Sequence, residues 1–193
     1  MCGIVGISAS SFTECPALSR SIQLLSHRGP DDSGMFTDPE AGIRLAHTRL
    51  SIVELSPLGH QPMVSFDESA AIVYNGEIYN ADELRCFLES SGFPFAGRSD
   101  TEVILNLYLY SKSTFISFLD LLPRLNGIFA LAIWDKDLEQ LLVVRDALGV
   151  KPLYYYNQDN HFVFASEIKA LLPIINEIHP QSLASADLNY PAL

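Results

Sequence analysis

The sequence is poor in cysteine, in basic residues and in long apolar runs. Its three cysteines, Cys2, Cys15 and Cys86, form no CxxC pair, so neither a disulfide framework nor a zinc site is favoured. Its 12 Lys and Arg face 23 Asp and Glu, which argues against a nucleic-acid partner. No run reaches the roughly 18 apolar residues that span a bilayer, so we expect no membrane partner.

The sequence also lacks signals for export and for metal binding. Its first eight residues, MCGIVGIS, contain neither the basic segment nor the long apolar segment of a secretory signal. We therefore expect a cytoplasmic protein with reduced thiols, in which Cys15 and Cys86 are small structural side chains. The five histidines show no metal-ligand spacing, and the sequence predicts no metal and no cofactor in this chain.

What is present suits one compact domain. The chain has 193 residues, of which 48% are hydrophobic and 18% charged, as in globular proteins. We assign residues 1–172 to the domain. Residues 173–193 are interpreted as a C-terminal tail or linker, because periodicity is lost from Asn176 onward.

Apolar spacing predicts strands and helices in a mixed order. Strands are predicted at Ile4–Ser8, Ile43–Thr48, Ala71–Tyr74, Gly127–Trp134, Leu141–Arg145, Leu153–Tyr156 and Phe162–Ala165. Helices are predicted from Pro16 to Leu25, around Leu84–Leu88 up to Gly92, and after the capping pattern Ser99–Glu102. The turn-rich segment 27–34 is predicted to be a loop. The late strands are typical of adjacent hairpins in an antiparallel sheet, and the order favours an α+β layered sandwich.

Cys2 has two interpretations. The ordinary one is a small buried side chain at the start of a strand. In the functional one, an aminopeptidase removes Met1, which leaves a thiol and a free α-amine on the same residue. Since the α-amine has a reference pKa of about 7.7 to 8.0, it could accept the thiol proton near neutral pH.

Ten segments in chain order resemble the glutaminase domain of glutamine-hydrolysing asparagine synthetases. They are MCGIVGI, SHRGPDDSG, AHTRLSIVELS, GHQPM, YNGEIYN, LR, SDTEVIL, LNGIFALAIWD, RDALGVKPLYY and FASEIKALL. The sequence of Asn75–Asn80 resembles the asparagine-synthetase form, whereas the hexosephosphate and phosphoribosyl amidotransferases have different residues after Asn-Gly. The resemblance implies a four-layer αββα sandwich of the N-terminal nucleophile hydrolase type. It also implies that Cys2 attacks the amide of L-glutamine, releasing ammonia and then glutamate from a thioester.

The same resemblance implies roles for further residues. Asn75 and the Gly76 N–H would stabilise the oxyanion, although Asn-Gly between two strands is also a strong hairpin signal. Arg49 and Asp100 would bind the carboxylate and ammonium of the substrate. The alternatives are an exposed or ion-paired arginine and a helix first-turn acid. Glu77 would lie near the substrate, but it could equally be a solvated side chain.

Two other motifs are interpreted as structural. The turn Arg28–Asp31 would support the site, with the aspartate making a local backbone bond. The segments Arg145–Asp146 and Gly149–Pro152 would connect two strands. The segment Ser113–Leu122 lacks the Trp-Gly usual in the family, which leaves its helix and contacts open.

The sequence contains no pyrophosphate loop or other phosphate-binding motif. We therefore expect ATP and Mg²⁺ only on a separate or missing synthetase domain or subunit, which would accept the ammonia. The acceptor could also be another carboxylate, and a non-catalytic interaction module is the alternative from a different class. The resemblance further suggests an interface near Ala165–Leu172, and a homodimer is possible.

Overall fold

The structure is a computed structural model that describes residues 1–9 and 16–180. Its strands are β1 (Gly3–Ala9), β2 (Asp32–Asp38), β3 (Ile43–Arg49), β4 (Met63–Val64), β5 (Ala70–Ile78), β6 (Gly127–Asp135), β7 (Gln140–Arg145), β8 (Tyr154–Gln158) and β9 (His161–Ala165). Its helices are α1 (Pro16–Leu24), α2 (Ala81–Ser90), α3 (Asp100–Thr114), α4 (Phe118–Leu121) and α5 (Ile168–Ile178). Short 3-10 turns cover Pro57–Gly59 and Leu122–Arg124.

The strands form two sheets in which every described pairing is antiparallel. The first has the order β2-β3-β1-β9-β8 and the second β4-β5-β6-β7. The N-terminal strand β1 is therefore central, between β3 and β9. Its first paired residue is Gly3, opposite Thr48.

Three apolar clusters separate four layers. One cluster, which includes Val5 and Ile174, packs α1 and α5 on the outer face of the first sheet. A second, which includes Ile72 and Leu107, packs α2 and α3 on the second sheet. The third lies between the sheets. Strand alternation explains this division, since Ile4 and Val5 face opposite sides of the same sheet. The α+β, four-layer αββα prediction is confirmed.

Most predicted elements are present, but the segment 27–34 is only partly a loop. Strand β2 already begins at Asp32, so the prediction of a loop through Gly34 is wrong. Every second β2 residue is exposed and the others are half-buried, and the few apolar side chains of the strand gave no strand signal. Pairing with β3, from Asp32 opposite Arg49 to Asp38 opposite Ile43, outweighs the weak local preference.

Two further predictions are wrong, one about the sheet that the hairpins form and one about a turn. The hairpins β6–β7 and β8–β9 exist, but they belong to different sheets, so a single sheet for both is wrong. Asn75 and Gly76 do not form a hairpin turn. They lie inside β5, opposite Ala130 and Phe129 of β6.

The end of the described chain is more regular than expected. Helix α5 crosses Leu172 and continues to Ile178, with Ile174 and Ile175 buried, so regular structure extends past Asn176. The division of the chain at residue 172 stays a prediction, and residues 181–193 lie outside the described part. In the unusual segment Ser113–Leu122, α3 ends at Thr114 and α4 buries its Phe118.

Candidate active site

A cavity of about 140 Å³ lies where β1, β3 and β5 meet the first turn of α3. All six residues predicted for the site line it: Cys2, Arg49, Asn75, Gly76, Glu77 and Asp100. Met1, Leu50, Gln61, Tyr74 and Lys151 also line the cavity. The fold thus brings together residues from four separate segments of the chain.

Cys2 is half-buried just before β1. Its Sγ accepts a hydrogen bond from Leu50 N at 3.5 Å and lies 3.8 Å from Leu50 O. Burial raises the pKa of the Cys2 thiol, although the bond from Leu50, the N-terminal ammonium and Arg49 act in the opposite direction. The thiol is therefore protonated near neutral pH and needs a base to become a nucleophile.

Asn75 is an unsatisfied donor in this cavity. The residue is 1% exposed, and its Nδ2 has no hydrogen-bond acceptor among the described residues. A buried amide without a partner is costly, so such groups are usually found where a ligand or water supplies the missing bond. Asn75 Nδ2 is therefore available to donate a hydrogen bond to a ligand oxygen in the cavity.

The Gly76 N–H points away from β6. The opposite residue, Phe129, uses both its N–H and its C=O to bind Asp146, on the β7 side of β6. Gly76 and Phe129 are consequently a non-hydrogen-bonded pair, whose amide groups face outward. A Cβ at Gly76 would lie 2.5 Å from Ile128 O and 2.7 Å from Phe129 Cβ. Close packing against β6 thus requires glycine, rather than only the close approach of a substrate.

Tyr74, which precedes Asn75, is held by three side chains. Its N–H donates to Gln61 Oε1 at 2.7 Å, and its C=O contacts His47 Nε2 at 3.1 Å. Because a carbonyl only accepts, His47 carries its proton on Nε2. Burial lowers the pKa of His47 to about 3, so this link between the sheets is neutral.

The third partner of Tyr74 is Asp100. The Tyr74 hydroxyl donates to Asp100 Oδ2 at 2.7 Å, and Ile78 N donates to the same oxygen at 3.2 Å. Burial raises the pKa of Asp100, while the bonds from Tyr74 and Ile78 act against this rise. Asp100 is also the first residue of α3, after the N-cap Ser99, so both the helix-start interpretation and the cavity position hold.

Arg49 is neither exposed nor ion-paired among the described residues. It is 7% exposed, and its guanidinium donates to Glu54 O and, at 3.1 Å, to Ser56 O. These bonds fix the guanidinium at the cavity wall and leave further N–H groups for a ligand. Glu77 lines the cavity as an exposed side chain.

The turn Arg28–Asp31 makes longer-range contacts than expected. Asp31 Oδ2 accepts from Ser51 N at 2.8 Å, so the local backbone bond predicted for this aspartate is not its contact. Arg28 Nε donates to Cys2 O at 2.9 Å. Asp146 accepts three backbone N–H groups of the β7–β8 connection, from Leu148, Val150 and Lys151, as a connecting segment should.

Sequence reasoning missed three residues of this wall: Tyr74, Gln61 and Lys151. Each lies in a motif that carries the family resemblance, but none has a side chain that indicates its role from spacing alone. Gln61 is the clearest case, because its amide accepts from Tyr74 N and donates to Thr101 Oγ1, which lies 40 residues after Gln61 in the sequence.

Within the described residues, no group of three or more His, Cys, Asp or Glu is arranged to hold a metal ion. Across the same residues, no helix has the length and apolar character needed to cross a membrane. Cys86 lies exposed on α2 and Cys2 is half-buried, both as free thiols, whereas Cys15 lies outside the described part.

Comparison with known proteins shows the family to which the chain belongs. The glutamine amidotransferase domain family matches residues 1–188. Asparagine synthetase [glutamine-hydrolyzing] 3 of Bacillus subtilis is 38% identical over 192 residues, which are 97% of this chain and 29% of that protein. Amidase chry2 of Gibberella zeae is 40% identical over 157 residues, covering 80% of this chain and 22% of that protein. The chain thus spans less than a third of the length of these relatives.

A solved structure has the same architecture. Glutamine phosphoribosylpyrophosphate amidotransferase from B. subtilis, complexed with ADP and GMP, superposes with a TM-score of 0.73 at 26% identity. The match covers 90% of this chain and 43% of that one. The two proteins therefore share their fold over most of this chain.

Proposed function

The chain belongs to the family of glutamine amidotransferase domains, and from this premise we propose that it hydrolyses L-glutamine through Cys2. The observation that carries the proposal is the buried Asn75 Nδ2, which lacks an acceptor among the described residues and lines the same cavity as Cys2. Beside it, the Gly76 N–H points away from its partner strand. Two such donors suit the oxyanion of a tetrahedral intermediate.

The α-amine of Cys2 is the proposed base. Met1 is 58% exposed and lines the cavity, so its removal would free the amine beside the thiol. Because burial raises the pKa of the thiol, a nearby base is needed at neutral pH. The buried His47 is a poor base, because its Nε2 is bonded to Tyr74 O and burial lowers its pKa to about 3.

Arg49, Asp100 and Glu77 are proposed to bind the amino-acid end of glutamine. The Arg49 guanidinium suits the α-carboxylate, since a planar fork can donate two parallel bonds. Asp100, held by Tyr74, suits the α-ammonium. Glu77 would add negative charge at the mouth of the cavity, where it is exposed.

The reaction then proceeds in two balanced halves. The thiol proton moves to the α-amine as Sγ attacks the glutamine Cδ, and the oxyanion forms between Asn75 Nδ2 and Gly76 N–H. The resulting α-ammonium protonates the leaving nitrogen, and the C–N bond breaks as the oxyanion reforms the carbonyl. Ammonia departs and leaves a thioester between Sγ and Cδ. Water then attacks the thioester and gives a proton to the amine. The C–S bond breaks, the thiolate is reprotonated, and glutamate is released.

The ammonia acceptor is proposed to be a synthetase domain or subunit that makes asparagine, with ATP and Mg²⁺ bound there. The 38% identity to an asparagine synthetase supports this choice. A second candidate is a different acceptor, since a fungal relative of 40% identity is named an amidase. A reducing compartment such as the cytoplasm would keep the Cys2 thiol available. We also propose that the chain forms a homodimer, which sedimentation analysis would test.

The test is glutamate release from L-glutamine by the purified chain. We expect turnover by the unchanged protein, none by Cys2→Ala, and full turnover by the matched control Cys86→Ala, whose thiol is exposed on α2. Equal activity of Cys2→Ala and the unchanged chain would refute the assignment of the nucleophile. Correct folding without turnover would instead favour a binding module.

A further inference from the structure

The proposed nucleophile lies beyond the last pairing of its strand. The β1 ladder begins with Gly3 opposite Thr48, so no strand pairing in the described chain includes Cys2. Chain termini are poorly ordered unless something ties them down. A nucleophile that becomes the terminal residue therefore needs contacts outside the ladder to keep its Sγ in place.

Arg28 makes such a contact from the α1–β2 connection. Its Nε donates to Cys2 O at 2.9 Å, and its Nη1 donates to Glu167 Oε1 at 2.9 Å. The Arg28 side chain is only 7% exposed, against 24% for Glu167. One guanidinium thus joins the backbone of the nucleophile to the residue that precedes α5.

The charge on Glu167 is well supported. Burial would raise its pKa, but hydrogen bonds from Arg28, Lys169 and His27 outweigh this and hold the pKa at about 2. Lys169 Nζ lies 3.0 Å from Oε2, and His27 Nε2 lies 2.9 Å from Oε1. The carboxylate is therefore ionised at neutral pH and can fix the Arg28 guanidinium.

Ser166, the residue before Glu167, binds the same N-terminal segment two residues after Cys2, at Ile4. Ile4 N donates to Ser166 Oγ at 3.0 Å, and Ser166 N donates to Ile4 O at 2.9 Å. Ser166 is fully buried. The dipeptide Ser166–Glu167 thus contacts the N-terminal segment in two ways. Ser166 binds Ile4 directly, and Glu167 binds Arg28, which in turn binds Cys2.

We propose that Arg28 and Glu167 are positioning residues that hold the nucleophile Cys2 in its reactive place through the 2.9 Å bond from Arg28 to the Cys2 carbonyl. This inference rests on the proposed function. Neither residue lines the cavity, so neither touches the substrate. Loss of the pair should slow the chemical step and leave glutamine binding by Arg49 and Asp100 intact.

The test compares Glu167→Ala with the matched control Glu177→Ala. Glu177 also lies at α5 and pairs with an arginine, Arg20, at 3.5 Å. Its carboxylate accepts from Ala17 N at 3.1 Å and makes no recorded contact with Arg28 or Cys2 in the described part of the chain. We expect Glu167→Ala to lower kcat about tenfold or more with an unchanged KM, since small misplacements of a reacting group have such effects. Glu167→Gln, which keeps an acceptor oxygen for Arg28, should recover part of kcat. Glu177→Ala should leave kcat unchanged.

A double variant tests whether Glu167 acts through Arg28. If it does, Arg28→Gln combined with Glu167→Ala should lower kcat no further than Arg28→Gln alone. Independent, multiplicative losses would contradict the proposal, as would a kcat for Glu167→Ala equal to that of the unchanged protein. If Glu167→Ala does not fold, the milder Glu167→Gln carries the same comparison.

Hydrogen exchange separates this inference from the proposed function. The N-terminal peptide should exchange faster in Glu167→Ala than in Glu177→Ala, whether or not the protein turns over glutamine. Equal exchange in the two variants would overturn the positioning role. An unchanged protein without glutaminase activity, but with the expected exchange difference, would overturn the proposed function alone.

Discussion

The Tyr74 hydroxyl donates a 2.7 Å hydrogen bond to Asp100 Oδ2, which ties strand β5 to the first turn of α3. The bond joins the residue before the proposed oxyanion donor Asn75 to the proposed ligand of the substrate ammonium. It also stabilises the charged form of Asp100 against burial, which raises the pKa of this carboxyl group. The proposed ammonium ligand and the proposed oxyanion donor therefore share one structural support.

Removal of this bond should weaken binding in a pH-dependent way. In Tyr74→Phe, Asp100 loses a donor to its charged form, so its pKa rises further. We expect KM for glutamine to rise about tenfold, the scale of one bond to a buried charge. The acid-side increase in KM should also begin at a higher pH than in the unchanged protein. Steady-state kinetics over a pH series measures both effects, and a KM profile identical to that of the unchanged chain would contradict the assignment of Asp100.

Asn75→Ala should affect the chemistry far more than stability. Loss of one oxyanion donor lowers kcat by about 10²- to 10³-fold in comparable sites. Because Asn75 Nδ2 has no acceptor among the described residues, no bond recorded within them is lost with it. Glutamate release and thermal unfolding give the two readouts, with the exposed Asn157→Ala on β8 as control. A kcat similar in both variants would argue against an oxyanion role.

Gly76→Ala should damage both stability and turnover. The new Cβ would lie 2.5 Å from Ile128 O, a backbone atom that can move only if β5 and β6 separate. We expect a loss of about 1 to 3 kcal/mol in unfolding free energy, with a fall in kcat as the Gly76 N–H shifts. Gly92→Ala is the contrast, since nothing lies within 4 Å and only its φ of +89° opposes the change. Urea unfolding should show a lower unfolding free energy for both variants. Glutamate release should be reduced only in Gly76→Ala.

His47 gives the protein a specific acid sensitivity. Burial lowers the pKa of His47 to about 3 from an ordinary value of 6.5, with Arg49 and His60 adding to the fall and Asp32 opposing it. Between these pH values the unfolded chain binds a proton that the folded chain does not, so stability falls as the pH decreases. The stability advantage of the unchanged protein over His47→Gln should therefore shrink from pH 6.5 toward pH 3. A constant difference across that range in urea unfolding would mean that His47 is not buried and neutral.

The sequence predicted which residues line the cavity better than it predicted their surroundings. Cys2, Arg49, Asn75, Gly76, Glu77 and Asp100 could be proposed because whole motifs resemble a family, and all six line one cavity. Local rules alone favoured a hairpin at Asn75–Gly76. That interpretation failed because pairing with β6 through Ala130 and Phe129 outweighs the turn preference of two residues.

Contacts between distant segments could not be predicted. The bonds from Tyr74 to Gln61, from Arg28 to Cys2 and from Ile4 to Ser166 depend on which strands become neighbours. Strand β2 was missed for a related reason, since its exposed alternate residues carry little apolar signal. The hairpins were recognisable from their turns, but nothing local assigns β6–β7 and β8–β9 to different sheets.

The most direct test of the account is peptide mass spectrometry of protein quenched with acid during glutamine turnover. We predict that the N-terminal peptide lacks Met1 and carries a γ-glutamyl group on Cys2, and that the group is absent in Cys2→Ala. A γ-glutamyl group on Cys86 or Cys15, or turnover by protein that retains Met1, would contradict the central claim that Cys2 acts as the terminal nucleophile.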